Sequence, residues 1–259
     1  MSLLIGLEAP IPNLDAVDAL TDFPFCLAHL FVQSEEYRKH YLRLARAGTH
    51  VVLDNSMWEM GQALDPIQYG NIALELCPAV VIYPDVWMDH SATLTAHKMF
   101  DGLYRKKLDE RDIQVMVVPQ CGVDESWAMA YHQFVNAFRP RWIGIPTVDT
   151  VAEETANVRW ARCVDALGME TWKGTLGHHL LGATTPWELF RYPKLPSSEW
   201  MIDTAKFLKY RKAGVSWLHS NTLDLPKKDM HEALTDDELN GLAQDLGEVR
   251  ARLTEAHHV

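Results

Sequence analysis

Acids and amides end several of the apolar runs in this 259-residue chain. Asp54 closes "HVVLD" and is followed by Asn55 and Ser56, and Asp85 closes "AVVIYPD". Gln120 closes "IQVMVVPQ", and Asp203 closes "WMID" just before Thr204. Gly144, Ile145 and Pro146 end "RWIGIP", while His179 and Gly182 lie in "HHLLG". Short apolar runs of this kind belong to buried strands, and a carboxylate at the end of one needs a reason. If these ends meet, three carboxylates and an amide form a ring of hydrogen-bond acceptors. Such a ring suits the Watson–Crick edge of a purine, or a sugar. It does not suit a phosphate, which carboxylates repel and which no P-loop or arginine cluster here would offset.

Each position also has a plainer reading. Asp54 and Asp203 could cap the helices that follow them. Asp85 could close a turn after Pro84, and Gln120 could satisfy loop backbone. His179 stands beside His178, and one of a histidine pair in a strand is more often a hydrogen-bonded core residue than a ligand. Trp58, Trp87, Trp127 and Trp187 could be core or rim. Asp203 is therefore either a helix cap or a reacting group. The set of three strand-end acids favours chemistry more than any one of them does.

The elements that must position these residues can be read from the same runs. Apolar stretches at 25–31, 50–54, 79–85, 113–120, 141–146, 178–182 and 200–203 are near-continuous, as in parallel strands covered on both faces. "AGVSWLH" at 213–219 is a candidate eighth. Between them lie helical segments. "SEEYRKHYLRLARAG" ends on Gly48, and "VAEETANVRWARCVDALG" ends on Gly168. This alternation predicts an α/β fold, a single (β/α)8 barrel over 1–259, with a loop and amphipathic helix from about 220 onward. Thr235 and Glu238 form a capping box for that last helix. A doubly wound open sheet is the main competitor, but no glycine-rich phosphate turn follows the first apolar run. In a barrel the carboxyl ends of the strands share one mouth, which would gather the residues above.

A formal charge of −11 argues against binding by blanket phosphate neutralisation, although Lys206, Lys209, Arg211 and Lys212 make a local basic patch. Cys26, Cys77, Cys121 and Cys163 form no CxxC pair or zinc-spaced cluster and read as reduced core or near-core thiols. No basic-then-apolar leader and no membrane-length apolar run is present, so a cytoplasmic protein without membrane association is expected.

Taken in order, "VLDNSMWEMG", "IYPDVWMD", "VVPQCG", "WIGIP", "HLLGATTPWELF" and "MIDTA" resemble the tRNA-guanine transglycosylase superfamily over roughly residues 50–206. The likeness is nearest to short phage and bacterial relatives that handle 7-deazaguanine bases for DNA. The resemblance implies that Asp54, with Ser56 following, is a general acid/base, and that Asp203 is the nucleophile that attacks the sugar. It implies that Asp85, at the end of the third apolar run, reads N1–H and the exocyclic amine of guanine, and that Gln120 contacts the base. A backbone amide after the fifth run would meet O6, which places Gly144 and Ile145 in the site. His179 and Trp58 complete the expected base-binding set, Trp58 or Trp87 by stacking.

Three departures bear on this. "PQCG" lacks one glycine of the family's turn, and "GIP" replaces a double glycine. No cysteine follows Cys163, so the structural zinc of the tRNA enzymes has no ligands here, and neither metal nor cofactor is expected. The implied reaction is exchange of guanine in a polynucleotide for a 7-deazaguanine base. DNA is the favoured polymer with a partner protein assisting, and tRNA is the other candidate. An N-glycoside hydrolase using the same carboxylates, or a non-catalytic purine-binding barrel, are the competing expectations.

Overall fold

The computed structural model describes residues 3–122, 125–147, 152–219 and 229–256. Eight strands close into a barrel in chain order, every neighbouring pair parallel. They are β1 (Leu3–Leu7), β2 (Phe23–Leu27), β3 (Val52–Asp54), β4 (Val80–Ile82), β5 (Gln114–Val117), β6 (Trp142–Ile145), β7 (Gly177–Leu180) and β8 (Glu199–Asp203). The helices between them are α1 (Leu14–Asp18), α2 (Ala28–Gln33), α3 (Glu35–Arg46), α4 (Met57–Met60), α5 (Pro66–Leu76), α6 (His90–Asp109), α7 (Trp127–Phe138), α8 (Ala152–Gly168), α9 (Glu188–Arg191) and α10 (Lys206–Lys212). The last, α11 (Asp236–Ala256), packs on α10, where Arg211 Nε donates to Asp245 Oδ2 at 2.7 Å.

The barrel is the expected one, but its first strand is not. Leu3–Leu7 supplies β1 and closes the ring by pairing Ile5 with Ile202 and Gly6 with Asp203 on β8. The segment 213–219 is no strand: it follows α10 through Gly214, whose φ of +77° ends that helix. Each strand number read from the sequence therefore rises by one. The run at 25–31 is also divided, with β2 ending at Leu27 and α2 taking 28–33. Both halves are buried, so the run shows no polar break to mark the boundary.

Local chemistry fixes the remaining elements. Ser34 caps α3 by accepting from Tyr37 N at 3.2 Å, and Gly48 sits at φ +80° just beyond its end. Asp89 caps α6, and the Thr235–Glu238 capping box forms in both directions. Strand residues such as Val52, Leu53, Val80, Val81 and Ile143 are fully buried, as parallel strands under a helical ring must be. Gly6 has a steric reason: a Cβ there would lie 2.4 Å from the Phe23 ring, which packs edge-on to His179. All four cysteines are free thiols; Cys26, Cys121 and Cys163 are buried, whereas Cys77, at the end of α5, is exposed rather than near-core. Among the described residues no helix is long and apolar enough to cross a membrane.

Candidate active site

The carboxyl ends of β3, β4, β5 and β8, with the loop after β7, enclose a cavity of about 320 Å³. Asp54, Asp85, Gln120, Asp203 and Trp58 all line it, so the strand-end acids do converge. That volume is at the small end for ligand pockets, which run about 300–1,000 Å³, and suits one planar base rather than a helix or a duplex. Glu8, Glu59, Lys206 and Lys209 also line the pocket.

The three strand-end aspartates among these carboxylates sit in three environments. Asp85 is buried and is held at both oxygens: Asn55 Nδ2 donates to Oδ1 at 2.8 Å and Gln120 Nε2 donates to Oδ2 at 2.6 Å. The two amides are themselves oriented by backbone, since Met57 N donates to Asn55 Oδ1 and Met88 N donates to Gln120 Oε1. Asn55 Nδ2 also donates to Tyr83 O at 2.9 Å. Burial pushes the Asp85 carboxyl up, and the Gln120 and Asn55 donors oppose that shift. Each oxygen keeps a second lone pair for a ligand donor.

Asp54 accepts from Ser56 N at 2.6 Å on Oδ2, and Oδ1 takes no hydrogen bond among the described residues. Burial raises its carboxyl well above the usual range. Negative charge on Glu59, and then on Asp203 and Asp85, pushes the same way, against the Ser56 N–H. A carboxyl so placed favours its protonated form, as a general acid must.

Asp203 is 4% exposed and accepts twice on one oxygen: His179 Nε2 lies 2.9 Å and Gly182 N 3.1 Å from Oδ1. Among the described residues Oδ2 takes no hydrogen bond. It does not cap α10; Thr204 Oγ1 accepts from Lys206 N instead. Of the two readings of this aspartate, the cap is thus the one the geometry lacks.

His179 points at Asp203 from within the barrel, with Phe23 and Phe25 edge-on to its ring. It is fully buried and does not line the pocket, so it supports the acid instead of meeting a ligand directly. In the tautomer that donates Nε2–H to Asp203, the buried Nδ1 has no partner among the described residues. His178, one residue away, is fully buried, stacked at 4.1 Å on the Trp172 ring, with Nε2 3.0 Å from Tyr131 Oη and Nδ1 2.9 Å from Ser197 Oγ. Burial lowers its pKa to about 3. The plain core reading thus fits His178.

Other expected residues lie elsewhere. Gly144 and Ile145 are inside β6, paired with His179 and Leu180, and do not line the cavity. A Cβ on Gly144 would meet Leu181 Cδ1 at 2.9 Å and Val118 Cγ2 at 3.0 Å, so side chains already fill the space above it. Pro146, Thr147 and Leu181 form that part of the wall. Ser56 is fully buried in the left-handed region at φ +62°, where its Oγ accepts from His29 N at 3.1 Å. It braces the loop and holds Asp54 by its N–H, without lining the pocket. Trp58 is 48% exposed at the rim, 4.4 Å from the Trp87 ring and tilted by 41°. Trp127 is core.

Sequence reasoning gave Asn55 no role; it sits between Asp54 and Ser56 in the chain, and its side chain orients Asp85. Sequence reasoning also missed Arg159 and Glu188, a fully buried ion pair at 2.6 Å behind the β7 loop. Only the position of Asn55 beside Asp54 could have signalled it. Among the described residues no group of three or more His, Cys, Asp or Glu is arranged to hold a metal. Compared with models of protein families and with curated proteins, the chain matches neither.

Proposed function

We propose that this barrel is a base-exchange glycosyltransferase, which replaces guanine in a polynucleotide, with DNA favoured over tRNA, by a 7-deazaguanine base. The carrying observation is the division of labour among three carboxylates lining one base-sized cavity. Asp85 is an acceptor pair locked by two amides, Asp54 favours its proton, and Asp203 keeps one oxygen unengaged among the described residues. The ordered likeness of the strand-end motifs to tRNA-guanine transglycosylases supports the same assignment.

In this reading the two guanine donors, N1–H and the exocyclic amine, meet the Asp85 oxygens. Asp203 Oδ2 attacks C1′ as the C1′–N9 bond breaks, through an oxocarbenium-like state that the carboxylate stabilises and captures. The bonding pair leaves with the base, which takes a proton from Asp54. The incoming base then returns a proton to Asp54, attacks C1′ through nitrogen and displaces Asp203. Atoms and charge balance over one cycle, with no further reactant. A cavity of about 320 Å³ admits one base, so a target within a duplex has to be flipped out.

The test is guanine release from labelled DNA and, separately, tRNA, with and without 7-deazaguanine bases. Release that requires the second base supports exchange. Release into water without it replaces the proposal with an N-glycosidase. Base binding with no release from either polymer, even with cell extract added to supply a partner, replaces it with a binding module.

A further inference from the structure

Arg159 and Glu188 are each completely buried, yet neither lines the pocket. Taking two charges out of water costs several kcal/mol per ion unless hydrogen bonds satisfy the rest of each group. Among the described residues those bonds go to one short segment, residues 181–185, and only Arg159 Nε is left buried without a partner among them. Arg159 Nη1 donates to Leu181 O at 2.6 Å, and Nη1 and Nη2 each reach Gly182 O at 3.4 Å. Glu188 Oε2 accepts from Thr184 N at 2.7 Å, Thr184 Oγ1 at 3.0 Å and Thr185 N at 3.0 Å. The cation grips the segment's carbonyls and the anion its amides.

The same segment is what holds Asp203. Gly182, at φ +60°, turns its N–H onto Asp203 Oδ1 at 3.1 Å. Ala183 N donates to Asp203 O at 2.9 Å, and Thr204 Oγ1 donates back to Ala183 O at 2.8 Å. Leu181, Gly182, Ala183 and Thr184 line the cavity. The geometry points to the Arg159–Glu188 pair as a positioning device for the β7 loop and, through it, for the Asp203 carboxylate. This rests on the reading of Asp203 as nucleophile. By occupying Oδ1 through Gly182, the device leaves Oδ2 as the atom that bonds to carbon. The base-reading wall, built on Asp85, Asn55 and Gln120, is not connected to it by any of these bonds.

Deleting one partner would strand a buried charge, so the test is the double variant Arg159→Met/Glu188→Leu, which removes both and refills the space. Expected is a folded barrel whose Gly182 and Ala183 amides exchange hydrogen at least about tenfold faster, while Met201 and Ile202 on β8 stay protected. Base exchange should fall about 100-fold in kcat, with KM for the free base changed by less than about threefold. A folded double variant with wild-type amide protection and kcat overturns the inference, as does an equal loss in kcat and base affinity. Should that variant not fold, Arg159→Lys keeps the charge but loses the fork, and must show the same split at smaller size; wild-type behaviour there also overturns it. If the wild-type protein exchanges no base, the proposed function fails, and the amide-exchange arm still decides whether the pair holds the loop.

Discussion

The β3–β5 wall and the β7–β8 wall each present a carboxylate to the same cavity but restrain it differently. On the first, side-chain amides from Asn55 and Gln120 occupy both oxygens of Asp85. On the second, a backbone amide and an imidazole share one oxygen of Asp203, and the other takes no hydrogen bond among the described residues. A carboxylate pinned at both ends has a fixed orientation and a lone pair left on each oxygen, which is what matching two donors on a planar base requires. A carboxylate pinned at one end keeps a defined direction and a lone pair for bond formation. Asp54, next to the first wall, is different again: its surroundings favour the proton. One residue type thus sits in three environments, which the proposed function reads as three roles.

Breaking the second wall should cost most. Asp203→Asn retains size but is a poor nucleophile, and exchange should drop by about 10⁴-fold or more with no covalent sugar adduct. Free-base affinity should stay within about threefold, because the donors to Asp85 are untouched. Adduct trapping by denaturing electrophoresis and base titration read the two arms. Parallel loss of binding would erase the distinction between the walls.

In the proposed reaction Asp54 sets the pH dependence. If it is the acid that protonates the departing base, it must hold its proton, so exchange should fall as pH rises through its elevated pKa. Asp54→Asn should lower the rate by about 10²–10⁴-fold and abolish that alkaline limb. Stability carries the same sign. The folded state binds this proton more tightly than the unfolded chain, so Asp54 makes the protein less stable as pH rises above the ordinary carboxylate range. Thermal melts of Asp54→Asn across pH should lack that decline.

Breaking the first wall should cost less and in another parameter. Asp85→Asn places an NH2 against one of the two amides that now donate to it, leaving donors facing each other. Base affinity should fall by about 100-fold, mostly in KM, with kcat at saturation moved far less. Steady-state exchange against base concentration separates this from the Asp203 result.

The two walls were also unequally legible. Asp54, Asp85, Gln120 and Asp203 each end a β-rich apolar run, and a polar residue there stands out against buried neighbours. What fixes them is less visible. Asn55 is an amide in a loop, where such residues are common, and only its bonds to Tyr83 O and Asp85 give it a role. Arg159 lies in a helix whose polar residues read as solvated, and its burial follows from a glutamate 29 positions on. Gly144 and Ile145 fell short because Leu181 and Val118 fill the space above Gly144. In the fold, "LLIGL" has only four apolar residues, broken by Gly6, and does not stand out as a strand. Its Gly6 exists to let Phe23 lie across β1 beneath His179. The run 213–219 looked strand-like because Val215 and Trp217 are apolar, yet Trp217 packs edge-on against Phe207 of α10 at 4.9 Å.

The smallest effect expected is the one that best separates the cavity from its rim. Trp58 lines the pocket yet is half exposed and leans on Trp87, so part of its ring faces away from any base inside. A base stacked on an aromatic ring contributes about 1–3 kcal/mol, and a half-exposed ring should sit at the low end. If that base is the neighbour of the target in the polymer, Trp58→Ala should weaken polynucleotide binding by about five- to tenfold and leave free 7-deazaguanine binding unchanged. If the ring covers the target base instead, both affinities fall together, and Trp58 belongs with Asp85 on the recognition wall. Titrating the variant with a short single strand and with the free base decides between these placements.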